Sequence, residues 1–279
     1  MKTLLGIIAS PRKMGNSELM VKAIYRQMPD GWKLALVRIP ELGLKPCKGC
    51  YQCLFNEGRC VQKDDFPIVL EAMTQADAYV VAAPTYLFGA HGSLKAFLDR
   101  GLTFSGSLEK LWGKPAVGAI LAGLRGMEGY AKLMVDSFIK FTLADHRGSE
   151  VVYAALPGEV FLSDEAKQAA KRLAAALVEG ASPGKPSIPR CNLCGGDTFR
   201  FLENGNIRCM VCSSEGSYGW GNGGLKIKTA RGDHAVFLTS DDARKHFEFL
   251  RGMKDKFIAM RKELKEVVRE YHDMGEWIR

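Results

Sequence analysis

Two hydrophobic periods share this chain. Short apolar stretches fall at residues 4–9, 33–39, 78–83, 115–122 and 150–155. Stretches of this length bounded by turn-forming residues read as strands, and the continuous ones as strands buried on both faces. Between them, apolar positions recur at helical spacing and predict helices over 17–28, 66–74, 92–101, 128–142 and 164–179. Asp64 and Asp65 stand where the N-cap of the 66–74 helix belongs. Strand and helix alternate, so the pattern predicts an α/β fold, a five-stranded parallel sheet with helices on both faces. Ligands bind such sheets at the carboxyl ends of the strands.

The alternation stops after residue 180. Residues 181–189, ASPGKPSIP, read as a linker. Residues 190–232 are rich in Gly and aromatics, lack a helical period and suggest short hairpins. Residues 241–274 return to a helical pattern as a C-terminal tail. Its apolar residues Met253, Phe257, Met260, Leu264, Val267, Tyr271 and Met274 step by 4 and 3, as in a coiled-coil seam or a helix packed on a partner. The plainer alternative is a helix lying on its own domain, and Gly252 offers a break point.

At 279 residues, 47% apolar and 25% charged, the chain can bury a substantial core. No apolar run approaches membrane-spanning length. The start MKTLLGIIASPRK has too short an apolar run for a signal peptide. The expectation is a reducing cytoplasm, where paired cysteines serve as metal ligands more often than as disulfides. A net charge of +8 suits anionic cofactors or acidic partner proteins. It is not gathered into a basic block or an aromatic-interleaved stripe, which argues against nucleic acid.

The eight cysteines form two sets of four. Cys47, Cys50, Cys53 and Cys60 are spaced C-x2-C-x2-C-x6-C, which lets one short loop reach three corners of a cubane iron–sulfur cluster while the longer gap supplies the fourth. Zinc or free thiols are the alternatives. Cys191, Cys194, Cys209 and Cys212 are spaced C-x2-C-x14-C-x2-C, the pattern of a zinc ribbon with Asn204-Gly205 turning the hairpin between two knuckles. The alternative there is a single iron held as in rubredoxins, against which Ser213 stands where those proteins favour glycine.

The first strand is followed by Ser10-Pro11-Arg12-Lys13-Met14-Gly15-Asn16-Ser17, opening a helix. Free N–H groups and the positive dipole end make such a turn a site for an anion. It is neither a GxGxxG nor a Walker A loop. This segment resembles the phosphate loop of the flavodoxin-like NAD(P)H-dependent FMN reductases, with Ala9 where that family often has glycine. Pro84-Thr85-Tyr86-Leu87-Phe88-Gly89-Ala90-His91-Gly92-Ser93-Leu94-Lys95-Ala96-Phe97-Leu98-Asp99-Arg100 is similar to the family's P-x-Y segment and its G-x-L-K-x-F-x-D-R. Leu121-Ala122-Gly123 with Gly126 matches its glycine loop. Residues 46–61 resemble the compact cysteine motif of the iron–sulfur flavoproteins, a subgroup of that family.

The resemblance implies a flavodoxin-like FMN domain over residues 1–180, with the cysteine loop at 46–61. Ser10, Arg12, Gly15, Asn16 and Ser17 would hold the phosphate. Pro84, Thr85, Tyr86, Leu87, Phe88, Gly89, Ala122 and Gly123 would frame the isoalloxazine ring. Cys47, Cys50, Cys53 and Cys60 would bind a [4Fe–4S] cluster. Glycine at 89 and 123 permits close backbone approach to a flat ring. His91 is the candidate proton or hydrogen-bond donor near it, by position alone. Lys95 and Arg100 read as structural charges closing their helix, with Asp99 as the partner of Arg100. The ribbon lies outside the resemblance, and its zinc is read as structural.

The function expected is an FMN-dependent oxidoreductase that passes electrons between FMN and the cluster. Its partners would be NAD(P)H or a redox protein such as a ferredoxin, in a homodimer or homotetramer. One alternative is an NAD(P)H-dependent FMN or quinone reductase without a cluster. Another, of a different class, is a redox-sensing binding protein that uses the ribbon as its reader.

Overall fold

The computed structural model describes residues 1–162, 164–180, 188–221, 224–272, 274–276 and 278. The linker expected at 181–189 lies almost wholly outside them. Five parallel strands form the main sheet: β1 (Lys2–Ile8), β2 (Trp32–Arg38), β3 (Ala78–Tyr86), β5 (Pro115–Ala122) and β6 (Asp145–Tyr153). Their order is β2-β1-β3-β5-β6, and the two-residue β4 (Gly89–Ala90) folds back antiparallel on β3. The order reverses direction at β1 and β3, so a crevice opens beyond their carboxyl ends.

Helices α1 (Asn16–Tyr25) and α6 (Asp164–Glu179) cover one face, where Met20, Val21, Ile24, Leu173 and Leu177 meet the inward side chains of the strands. Helices α2 (Phe66–Gln75), α3 (Ser93–Leu98), α4 (Leu108–Leu111) and α5 (Ala131–Phe141) belong to the other. Phe66, Phe97 and Phe138 are fully buried there, with Phe66 and Phe97 stacked at 4.7 Å. The continuous apolar runs of β1, β3 and β5 are explained by this covering of both faces.

Several boundaries differ from the pattern for identifiable reasons. Strand β3 runs past Pro84 to Tyr86, with Pro84 still opposite Leu121. Strand β6 begins at Asp145, five residues earlier than its apolar run suggests, and a bulge at 147–148 restores its register on β5. Its polar opening, DHRGS, hid it. Asp64 and Asp65 tie down the preceding loop: Asp64 accepts from Lys45 N–H at 2.8 Å and Phe66 N–H at 3.3 Å, and Asp65 accepts from Gly43 N–H at 2.9 Å.

A second, antiparallel sheet orders β7 (Phe199–Phe201), β8 (Ile207–Cys209), β9 (Glu215–Gly221) and β10 (Gly224–Thr229) as β10-β9-β8-β7. It docks on α5 through Leu133 and through Lys132, which pairs with Asp197 at 2.8 Å and Asp136 at 2.7 Å. The 30-residue helix α7 (Ser240–Arg269) opens with a capping box between Thr239 and Asp242 and continues unbroken through Gly252. Its first turns bury Ala243 and Phe247; beyond them Phe257, Val267 and Tyr271 of the 4–3 seam are exposed. No helix among the described residues is long and apolar enough to cross a membrane.

Candidate functional site

The cleft at the sheet's carboxyl edge holds about 220 Å³ and is lined by Ser10, Arg12, Gly15, Asn16, Ser17, Pro84, Thr85, Tyr86 and Gly123. Leu121, Ala154, Ala155 and Pro157 complete it. At its floor, α1 starts on Gly15 with no side-chain cap. The first N–H groups of that helix therefore point at the cleft without an internal partner, the arrangement that receives an anion.

Residues far apart in sequence hold this loop in shape. Arg38, at the end of β2, donates from Nη1 to the carbonyls of Ser10 and Arg12, both at 2.9 Å, and pairs with Glu18 at 2.5 Å. Glu18 also accepts from Met14 N–H at 2.7 Å and Lys22 at 2.6 Å. Burial opposes its charge, but Lys22, the Met14 amide and Arg38 outweigh that and lower its pKa to about 2. Asn16 spends its amide on the opposite wall: Nδ2 donates to Leu156 O at 2.9 Å and Oδ1 accepts from Gly158 N–H at 3.0 Å. The side chain thus fixes the 154–158 loop, which leaves its backbone N–H for a ligand.

Away from the α1 end of the cleft, Leu87 and Phe88 make the two-residue turn between β3 and β4, at φ 47° and 65°. A two-residue hairpin asks for this left-handed geometry, which Asn-Gly meets at low cost. Large apolar residues there are strained, and Leu87 is 94% exposed. The loop after β5 packs beneath the turn, with Tyr130 N–H on Phe88 O at 2.7 Å. Leu87, Phe88, Gly89 and Ala122 stand around the cleft without lining it. A Cβ at Gly89 would lie 3.0 Å from the Tyr130 ring, so protein packing explains that glycine. At Gly123 the nearest protein atom would be 3.8 Å away, which leaves that side open to a ligand.

His91 is set back from the cleft. Its Nδ1 accepts from Ser93 N–H at 3.2 Å and pairs with Ser93 Oγ at 2.9 Å, and its ring meets the edge of Tyr86 at 5.7 Å. Burial lowers its pKa, in keeping with an acceptor at Nδ1. The ring caps α3 and braces Tyr86.

The first cysteine set surrounds a separate cavity of about 130 Å³, which Cys47, Cys50, Cys53, Cys60 and Arg100 line together. Burial first, then Cys60, Cys50 and Cys47, push the Cys53 thiol up. Arg100 pairs with Asp64, and Asp99 pairs with Lys95, which corrects the expected Asp99–Arg100 partnership. The loop is pinned by backbone contact: a Cβ at Gly58 would lie 2.4 Å from Thr103 O. Helix α7 braces it from outside, with Arg251 Nε donating to Leu54 O at 2.9 Å and Lys254 lying 4.9 Å over Phe55.

In the second set all four sulfurs lie within 4.8 Å of one another. Cys191 and Cys212 are 3.7 Å apart, and Cys194 and Cys209 3.5 Å. Sulfurs about 2.3 Å from one tetrahedral zinc are separated by about 3.8 Å. Thr229 Oγ1 at 3.1 Å from Cys191 and Gly196 N–H at 3.4 Å from Cys194 supply outer hydrogen bonds. Among the described residues this is the one His/Cys/Asp/Glu group so closed.

The family model described as NADPH-dependent FMN reductase matches residues 2–155, more than half of the chain. The chain belongs to the NADPH-dependent FMN reductase family. Within that family it is 31% identical over 177 residues to an iron-sulfur flavoprotein of Archaeoglobus fulgidus, covering 63% of this chain and 78% of the relative. A second iron-sulfur flavoprotein of that organism is 33% identical over 141 residues, 50% of this chain and 68% of the relative. A solved flavone reductase shares the fold over 99% of both chains, with a TM-score of 0.73 and 18% identity. The reductase fold of that structure thus extends through the ribbon and α7.

The cleft fits the family's cofactor. The Thr85 hydroxyl is buried on the cleft wall without a partner, a costly state that a ligand's polar edge relieves. The uncapped helix start fits a phosphate. The roles of Arg38 and Glu18 do not show in the local pattern, because Arg38 reaches Ser10, Arg12 and Glu18 across 20 to 28 residues, and the true partner of Arg100, Asp64, lies 36 residues away.

Proposed function

We propose that this chain is an FMN-dependent oxidoreductase in which the first cysteine set holds a [4Fe–4S] cluster and the ribbon a structural zinc. The carrying observation is a pair of separate cavities: a cleft beyond the strand ends with an orphaned Thr85 hydroxyl and an uncapped helix start, and a second lined by four free cysteines. On this reading Ser10, Arg12 and the first amides of α1 bind the phosphate. Thr85, Tyr86 and Gly123 meet the ring, and His91 positions Tyr86. Bound FMN exchanges electrons singly or in pairs and a cluster singly, so the two together couple two-electron to one-electron partners. Those partners are NAD(P)H and a redox protein such as a ferredoxin, and the chain works as a homodimer or homotetramer in a reducing cytoplasm.

The test is metal, sulfide and flavin content of the full chain purified without oxygen. The expected result is about four irons, one zinc and one FMN per chain. FMN and zinc without iron would replace the reading with a plain NAD(P)H-dependent reductase. A single iron with no sulfide would move iron to the ribbon.

A further inference from the structure

The guanidinium of Arg100 is an unusual object for a protein interior. Its side chain is 1% exposed, as is that of Asp64, to which Nη1 is bonded. Its Cζ lies 4.2 Å from the centre of the Phe66 ring. Nε and Nη2 are buried and have no hydrogen-bond partner. A purely structural ion pair does not require two orphaned donors, since Asp64 could be met by both arms of the fork. Asp64 instead spends its other bonds on Lys45 N–H and Phe66 N–H. The free donors belong to a residue that lines the four-cysteine cavity. Burial works against its charge, and Asp64 and the nearby Cys60 sulfur hold it.

We propose that Arg100 is the counter-charge of the first cysteine site, donating hydrogen bonds to sulfur and raising the reduction potential of the cluster held there. The inference rests on the reading that this set binds a [4Fe–4S] cluster. A cluster's potential is set by net charge, hydrogen bonds to its sulfurs and exposure. Reduction adds a negative charge, so a buried fixed cation favours the reduced form. Asp64 trims that effect by cancelling part of the charge while orienting the fork. Arg100 acts through the cluster environment and is a positioning residue.

The test uses the full chain purified without oxygen as wild type, Arg100→Lys, Arg100→Met and Asp64→Asn. Iron, sulfide and FMN are counted, thermal unfolding is recorded, and the cluster midpoint potential is read by EPR-monitored titration. Arg100→Met is expected to keep FMN and either shift the potential downward or lose iron. Arg100→Lys should recover iron and part of the potential. Asp64→Asn should move the potential upward, a sign that a merely structural pair does not predict. If Arg100→Met fails to fold, a downward shift in Arg100→Lys with an upward shift in Asp64→Asn supports the proposal. Potentials unmoved in both overturn it, as does a folded Arg100→Met with full iron and an unchanged potential. An iron-free wild type overturns the cluster reading and this inference with it, whereas an iron-loaded wild type with unmoved variants overturns this inference alone.

Discussion

The two cysteine quartets solve opposite problems with the same side chain. The second sits on antiparallel hairpins, with Cys191, Cys209 and Cys212 buried and all four sulfurs drawn together. The first sits on an irregular loop where Gly49, Tyr51, Glu57 and Gly58 all have positive φ, and Cys47 and Cys50 are exposed. A staple works best when water is excluded and the ligand set is closed. An electron-exchanging centre needs an edge near the surface, which the exposed Cys47 and Cys50 provide. The ribbon's strands are too short to fold on apolar burial, so on the proposed reading a zinc ion takes the place of a core. The first loop is held by the domain around it, through Arg100–Asp64, the Gly58 contact and the Arg251 bond from α7.

The comparison breaks most visibly if the metals are taken away. Cys209→Ser is expected to cost the ribbon on the order of 10 kcal/mol and unfold residues 191–229, while the parallel sheet and its FMN persist. Cys50→Ser is expected to abolish iron binding and leave the melting of both sheets unchanged. Hydrogen exchange resolved by segment reads both. A Cys50→Ser protein that loses protection across the main sheet would show that the first site is also a staple.

Acid treatment sharpens the contrast, because thiolate sites release metal as they protonate and the phosphate loop carries its own acid-sensitive group. Glu18 is lowered from 4.5 to about 2 in the folded chain. Its stabilisation is fully present above the unfolded value and is lost as pH falls through the folded one. That term is about 3 kcal/mol and fades between pH 4.5 and about 2. Glu18→Gln should flatten the pH dependence of main-sheet unfolding in that window and leave zinc release from the ribbon unmoved. Equal slopes for wild type and variant would remove Glu18 from the account.

The loop's dependence on its neighbours gives the next test. A side chain at Gly58 meets the Thr103 carbonyl and takes a φ of 79° that suits glycine. Gly58→Ala is expected to cost about 2 kcal/mol and to reduce iron content more than FMN content. Full iron retention would mean that the cysteines, once loaded, shape the loop themselves.

What could be read from the chain was whatever is local. The strand–helix alternation, the Ser10–Ser17 loop and both cysteine spacings depend on residues within a few positions of each other. So the sheet, the cleft floor and the gathering of the cysteines into two sets are legible. The missing pieces are pairs that only the fold creates. Arg38 reaches Ser10 and Arg12 across neighbouring strands, Asn16 spans 140 residues to Leu156, and Arg100 crosses from the end of α3 to Asp64. The opening of strand β6 is polar because it lies on the sheet's edge strand, so its apolar run begins later than the strand does. Helix α7 carried its 4–3 pattern openly, yet the pattern could not say that only its first turns would be covered.

The smallest effect lies inside the second quartet, where the two knuckles can be set against each other. Gly195 follows Cys194 at φ 76°, and Ser213 follows Cys212 at φ 61°. Each sends its N–H back to the first cysteine of its knuckle, Cys191 or Cys209, at 2.9 Å. The backbone demand is the same, and only one knuckle meets it with glycine. A left-handed non-glycine residue costs about 1 kcal/mol, so Ser213→Gly should stabilise the zinc-loaded ribbon by that amount. The reverse change, Gly195→Ser, should destabilise it by a similar amount. The check is the chelator concentration that half-releases zinc, which should rise for the first variant and fall for the second. If both fall, the Ser213 side chain contributes something to its knuckle that backbone geometry does not capture, and the two knuckles are not equivalent halves of one site.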